Sequence, residues 1–484
     1  MMMFKTLSTF LLLAAPLMAR AEEPVIRPIA THHEVTVAGH RLAYEAIFAQ
    51  HILKDSRGVG QATISTIAYL LASSRAGPRP VMFVFNGGPG ASSSPLQFEG
   101  FGPRLRIKAA DGSQSISENP YTLLPMVDLV FIDPVGTGLS RVLPGGSGKP
   151  YWSVAGDAAS VLATMREWLR EHHRQASPVF IAGESYGGTR IARMCADADD
   201  LKLAGLILIS PSFDGNPEGE SQTRKDGEAV ARLPAMAVAA ARHGKGEADR
   251  PAAELFDEAS AFAVHDYAAA LAAGDALTGD RRREIALRVS RFIGLPVEDV
   301  LAANLRVDPE NLRKALRKPD GLVVGLLDTR VTAPIPKVEP NRPSAANDPA
   351  LGLGASNVIV SSGITRYMHE TLKVPGTEPY VSLTLDVNFH WDWSATEHDA
   401  KSLDLAGNVA GLMRAKPRLR VMLIGGYYDM SVPLLGPRLQ LAAAGAPMER
   451  IKAVALPQGH SVFEAESERR QMSALFGSFL KHHP

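Results

Sequence analysis

The sequence predicts an α/β protein with a mainly parallel central sheet, helices on both faces and an inserted, mostly helical cap. Three observations carry this. The runs "RPVMFVFNGG" (79–88), "MVDLVFIDPVGTG" (126–138), "SPVFIAGES" (177–185), "LAGLILISPS" (203–212) and "RLRVMLIGGYYD" (418–429) are continuously apolar rather than alternating. That is the pattern of strands buried on both faces. Helical periodicity lies between them, as in "GDAASVLATMREWLREHH" (156–173), and strands alternating with helices build parallel sheets. The alternation stops after Ser212 and resumes near Arg420.

In chain order, residues 1–21 are expected to form a secretory signal peptide. Lys5 supplies the positive start, Leu7–Met18 the apolar core and Ala19-Arg20-Ala21 the cleavage site. The apolar core is too short to span a bilayer, and no later stretch is long and apolar enough. The protein is therefore expected to be exported, to the periplasm or beyond, without a membrane span after cleavage. Residues 22–213 are expected to form the first part of the core, opening with alternating strands such as "HEVTVAGHRLAYEA" and "QATISTIAYLL". Residues 214–396 form the expected cap, with "PIPKVEPNRPSAANDP" (334–349) as a loop. Residues 397–484 complete the core. An insertion of this size between two sheet strands is expected to shape a pocket without supplying the catalytic groups.

Composition narrows the partners. The chain balances 51 basic against 51 acidic residues, which offers no electrostatic footprint for nucleic acid or an anionic membrane. The single cysteine, Cys195, excludes an intramolecular disulfide. It falls in the helical pattern "TRIARMCADAD" and is expected to be a buried structural thiol. No cofactor or metal is expected.

The chemistry is concentrated in "FIAGESYGGTRIA", which places Gly183-Glu184-Ser185-Tyr186-Gly187 between a strand and a helix. This is the G-x-S-x-G nucleophile elbow of the α/β-hydrolase fold, whose glycines permit a strained turn that lifts the serine above the sheet. A serine hydroxyl needs a base and an orienting acid, and in this fold they follow in the order acid, then His. Asp429 in "GGYYDMSVP" and His460 in "LPQGHSVFEAE" fit that order. His172 and His173 at a helix end, His390 and His398 in or beside the cap, and His482 and His483 in the tail suit structural or solvated roles better. An oxyanion at Ser185 needs two N–H donors. Tyr186 follows the nucleophile, and the glycine-rich "NGGPG" after an earlier strand offers Gly88.

Together, "NGGPGASSS", "GESYGG", Asp429 in "YYDMSVP" and His460 in "QGH" resemble the serine carboxypeptidases, the S10 peptidases, and their bacterial secreted branch in particular. The resemblance implies an enzyme that releases C-terminal amino acids from peptides with a free C-terminus. It implies that Asn86 and Glu184 bind the substrate's carboxylate, and that Glu99 in "QFEGFGP" shares a proton with Glu184. Two carboxyl groups in contact cannot both ionise cheaply, so one keeps a proton and can donate to an anion. The family usually has one residue between that Glu and the following Gly-Pro, where this chain has Gly100 and Phe101. An esterase or amidase with the same triad, and a non-catalytic binding protein, are the competing readings. An esterase has no need of a carboxylate site, and a binder predicts a broken triad.

Overall fold

The computed structural model describes residues 27–71, 79–215, 221–335, 344–354 and 356–481. The expected signal peptide, His482 and His483 lie outside them. The main sheet has strands β1 (Ile29–Val37), β2 (His40–Lys54), β3 (Gly60–Leu71), β4 (Val81–Phe85), β5 (Asp128–Asp133), β6 (Val179–Glu184), β7 (Leu203–Ile209), β8 (Arg420–Gly426) and β9 (Ile451–Leu456). They lie in the order β1-β2-β3-β5-β4-β6-β7-β8-β9. The first three strands run antiparallel, β3 pairs antiparallel with β5, and every later pairing is parallel.

The continuous apolar runs bury both faces of this sheet. In β4, Val81, Phe83 and Phe85 point into one core, while Met82 and Val84 point into the other. The first face is covered by helices α1 (Val154–Glu171) and α2 (Tyr186–Met194). Ser153 caps α1 by accepting from the Gly156 N–H, satisfying one of the donors that a helix start leaves open. Val161, Met165 and Trp168 then recur on its buried face. Cys195 is buried against this face, and burial pushes its thiol up to about 12. It is a packing residue rather than a nucleophile.

Strands β7 and β8 are hydrogen-bonded neighbours, with Gly205 opposite Arg420, although the chain makes a long excursion between them. Helices α3 (Gln222–Arg242), α4 (Ala252–Phe262) and α5 (Gly279–Ile293) form a third apolar cluster there. Met430 and Leu435, just after β8, are buried in it, which seats this cluster directly against the core. The excursion also holds two short antiparallel pairs, Leu322–Val324 with Thr332–Pro334 and Val358–Val360 with Val381–Thr384. Its last helix, α6 (Leu405–Ala415), packs on the main core rather than on the third cluster.

Phe83 is fully buried in the central strand and meets Trp168 of α1 edge-on at 5.6 Å. Phe83→Ala should therefore destabilise the fold by about 3–5 kcal/mol through lost transfer energy and a residual cavity. The check is the midpoint of urea unfolding, which should fall at an unchanged slope.

Candidate active site

The site begins where β6 hands over to α2. Glu184 is the last strand residue and Tyr186 the first helical one, with Ser185 between them at φ 60° and ψ −127°. This is strained for a residue with a Cβ. Three backbone hydrogen bonds hold it: the Ser185 N–H donates to the Ile209 carbonyl (3.0 Å), and the Ser185 carbonyl accepts from Gly188 (2.8 Å) and Ser212 (3.1 Å). The glycines give the turn its room. A Cβ at Gly188 would come within 2.5 Å of the Pro211 side chain, and one at Gly183 within 2.8 Å of the Gly187 carbonyl oxygen. Ser185 stays partly exposed, and its hydroxyl makes no hydrogen bond among the described residues.

Asp429 and His460 come together from the turns after β8 and β9. His460 Nδ1 lies 2.7 Å from Asp429 Oδ2. Asp429 is fully buried, and its other oxygen accepts from the backbone N–H groups of Ser431 and Val432, each at 2.9 Å. The carboxylate is thus saturated and fixes the imidazole's orientation and tautomer, leaving Nε2 as the free nitrogen. The His460 carbonyl accepts from Ser210 Oγ at 2.9 Å, one residue beyond the strand end that holds Ser185. Burial alone would lower the His460 pKa, but the Asp429 charge and hydrogen bond outweigh it and Glu184 and Asp348 add to them, so the net shift is upward.

The loop after β4 lies directly against the elbow. A Cβ at Gly87 would sit 2.4 Å from the Tyr186 nitrogen and 2.8 Å from the Glu184 carbonyl oxygen. No side chain fits there. Gly88 follows at φ 101° and is exposed, and neither its N–H nor that of Tyr186 meets a backbone acceptor among the described residues.

Asn86 is buried, and its orientation is set from both ends. Its Oδ1 accepts from the Leu96 N–H (3.2 Å) and its Nδ2 donates to Glu184 Oε1 (2.9 Å). Glu184 Oε1 is thus an acceptor, and a proton on this carboxyl belongs on Oε2, which is buried with no partner. Burial raises the Glu184 pKa; His460 and Asn86 pull it down, Glu99 and Asp429 push it up, and the result is about 7.

The expected proton sharing between Glu99 and Glu184 is not made. Glu99 instead pairs with the buried Arg106, seven residues on along the chain, and Arg106 also donates to Ser361 Oγ at 2.9 Å. A guanidinium offers Glu99 a stronger partner than a second carboxyl group. Glu99 reaches Glu184 only through its charge. The other histidines serve elsewhere: His172 stacks on Trp168 at 4.2 Å, and His390 leans on Trp152 at 5.7 Å.

Two residues that sequence reasoning missed lie beneath the site. Arg190 pairs with Asp157 of α1 at 2.6 Å, and both side chains are almost wholly buried. It donates to the Asn86 carbonyl at 2.6 Å and stacks between the rings of Phe85 (4.9 Å) and Tyr186 (5.4 Å). One guanidinium thus ties together the loop, the elbow helix and α1. An arginine inside an otherwise apolar helix pattern was the available signal.

Comparison with known proteins finds likenesses to parts of this chain. Residues 59–200 match the serine carboxypeptidase family, and residues 149–294 match the alpha/beta hydrolase fold. Serine carboxypeptidase-like 36 from Arabidopsis thaliana is 30% identical over 145 residues, 28% of this chain and 28% of the relative. Serine carboxypeptidase ctsa-3.1 from Caenorhabditis elegans is 28% identical over 187 residues, 37% of this chain and 30% of the relative. The match thus spans less than a third of either relative. A rice cell wall degrading esterase from Xanthomonas oryzae superposes with a TM-score of 0.38 at 14% identity, covering 94% of this chain and 96% of that one.

Arg190→Met would strand the Asp157 carboxylate in the core without a partner. It should destabilise the protein by about 3–5 kcal/mol, whereas Asp157→Leu with Arg190→Met together should recover most of that loss. Thermal melts of the two single variants and the pair test the coupling.

Proposed function

We propose that this chain, a relative of the serine carboxypeptidases through residues 59–200, is itself a serine carboxypeptidase acting on peptides with a free C-terminus. In this reading Ser185 Oγ attacks the last peptide carbonyl while His460 Nε2 takes its proton. Asp429 stabilises the imidazolium that forms. The oxyanion is held by the N–H groups of Gly88 and Tyr186. Collapse of the tetrahedral intermediate breaks the C–N bond, His460 protonates the departing amine, and water then releases the acyl group by the same steps in reverse.

The observation that carries the reading is the Glu184 carboxyl beside the nucleophile. Its Oε2 is buried without a partner, and Asn86 occupies Oε1. A protonated Oε2 donates to a substrate carboxylate, and the second N–H of Asn86 Nδ2 can join it. An ionised Glu184 would repel the same anion. The pairing of Glu99 with Arg106 favours a second reading, an esterase or amidase with the same triad, because it diverts one of the groups expected at a carboxylate site.

We further propose that residues 1–21 direct export and are removed. Mass spectrometry of the secreted protein would find an N-terminus at residue 22 if this is right. No helix among the described residues is long and apolar enough to cross a membrane.

Ser185→Ala or His460→Ala should each lower kcat by about 10⁴-fold or more, with little further loss in the double variant. Near-normal turnover by His460→Ala would place the base elsewhere.

The pH dependence separates the two enzyme readings. Glu184 must be protonated to donate, and its pKa is raised to about 7. The His460 pKa is raised to about 9, so between the two values the gain of neutral His460 offsets the loss of the Glu184 proton. Only above the upper one should kcat/KM for free-acid peptides fall about tenfold per pH unit. His460 must be neutral to accept the Ser185 proton, so activity also falls on the acid side. The profile is a bell whose two limbs belong to the Glu184–His460 pair rather than to either group alone. Amidated or ester substrates need only neutral His460 and should stay active at alkaline pH. Glu184→Gln donates without titrating and should remove the alkaline limb. Identical profiles for free-acid and amidated substrates would favour the esterase or amidase.

A further inference from the structure

Asp348 is a buried carboxylate for which the proposed chemistry has no use. It lies in the excursion between β7 and β8, far in sequence from Asp429 and His460. Its Oδ2 accepts from the backbone N–H groups of both Leu326 and Leu327, each at 2.9 Å, and its Oδ1 from Ala350 at 2.9 Å. Gly325 leaves room for it, since a Cβ there would come within 3.0 Å of Asp348 Oδ1. The two residues that Asp348 pins point their carbonyls at the catalytic turns. The Leu326 oxygen accepts from Met430 (2.9 Å) and Ser431 (3.2 Å), and the Ser431 N–H is shared with Asp429 Oδ1. The Leu327 oxygen accepts from the His460 N–H itself at 2.8 Å. Thr329 adds a bond to the Tyr428 carbonyl at 2.9 Å. A Cβ at Gly459 would lie 2.5 Å from Asp328 Cγ, so the same strap closes against the turn that carries His460.

We propose that Asp348 is a positioning residue for the Asp429–His460 pair, fixing through one carboxylate the Leu326–Leu327 backbone that holds both turns. The proposal rests on the reading of Ser185, His460 and Asp429 as a triad. Neither strap residue offers a side chain to the chemistry. The coupling runs through backbone carbonyls, and the buried carboxylate is what keeps two successive N–H groups turned inward so that those carbonyls face outward. The charged and titratable groups around His460 are Asp429, Glu184 and Asp348, with the Asp328–Arg330 ion pair beside Gly459. Arg313 faces Asp348 from the other side. Loss of the Asp348 charge removes one of the three negative groups that favour imidazolium, so the pH at which His460 becomes neutral moves down.

The test reads the reactivity of Ser185 with a fluorophosphonate, which needs no peptide substrate. In Asp348→Ala the labelling rate should drop about 10- to 100-fold, as expected for a catalytic group displaced by a fraction of an ångström to an ångström, and its acid limb should move to lower pH. Asp348→Asn keeps an acceptor but not the charge. It should recover part of the rate while keeping the shifted limb. Folded variants that label at the wild-type rate with an unmoved limb would overturn the proposal. Hydrogen exchange on the wild-type protein tests it without any variant. The amides of Leu326, Leu327, Met430, Ser431 and His460 should open together as one unit, and free exchange at Leu326 and Leu327 beside protected Met430 and His460 would also overturn it. A wild-type protein that is not labelled at Ser185 would instead defeat the triad reading, and the exchange measurement would still decide on the strap.

Discussion

The parallel pairing of β4 with β6 is the constraint on which the rest of the site depends. Phe85 sits opposite Gly183 in that ladder, so Asn86, the first residue beyond β4, and Glu184, the last of β6, emerge side by side and bond at 2.9 Å. Adjacent strands lie about 4.8 Å apart, too close for two ordinary loops to turn in the same direction without collision. The chain resolves this by removing side chains: Gly87 lies against the Tyr186 nitrogen where no Cβ fits. The close approach that glycine permits is also what seats the loop after β4 against the Tyr186 amide, next to Ser185. Packing and chemistry are satisfied by the same omission.

Around this contact the protein concentrates buried charge in an otherwise apolar interior. Asp429 with His460 and Glu184 with Asn86 lie within a few residues of a strand end, and Asp157 of α1 with Arg190 of α2 lies beneath them. Each is held by backbone as well as by its partner, which is how a desolvated charge is tolerated. Burial raises the Asp157 and Glu184 pKa values while Arg190 and Asn86 oppose the rise. The groups differ in what remains unspent. Asp429 has both oxygens occupied, whereas Glu184 keeps one oxygen without a partner.

How much of this was legible in the sequence follows from the range of each interaction. The sheet strands were readable because burial on both faces writes a local, continuous apolar run. The expectation at Ser185, Asp429 and His460 came from turns with their own local signature of glycines or Gly-His, and of these the structure brings Asp429 and His460 into contact. Glu99 was misjudged because its partner is decided by the hairpin Arg104–Lys108 with Gln114–Glu118, which brings Arg106 back over it. Residue spacing from Gly-Pro says nothing of that competition. Arg190 sits in the very motif that identified the nucleophile, yet its bond to the Asn86 carbonyl depends on how the loop after β4 packs. Asp348 left no signal, because an aspartate in a Pro/Asn/Asp-rich stretch is most simply a turn residue.

The excursion between β7 and β8 braces the turns that follow β8 and β9. In an α/β sheet the ligand-binding loops emerge at the carboxyl ends of the strands, and their precision depends on what fixes the loops from outside the sheet. Ser185 is fixed from within, by Ile209 and Ser212 on the neighbouring strand end. Asp429 and His460 stand toward the far edge, after β8 and β9, where no further strand follows in the sheet. Leu326 and Leu327 supply carbonyls to the amides of Met430, Ser431 and His460, so the excursion anchors the turns that carry Asp429 and His460. Ser210 Oγ, bonded to the His460 carbonyl at 2.9 Å, ties the end of β7 that holds Ser185 to the His460 turn.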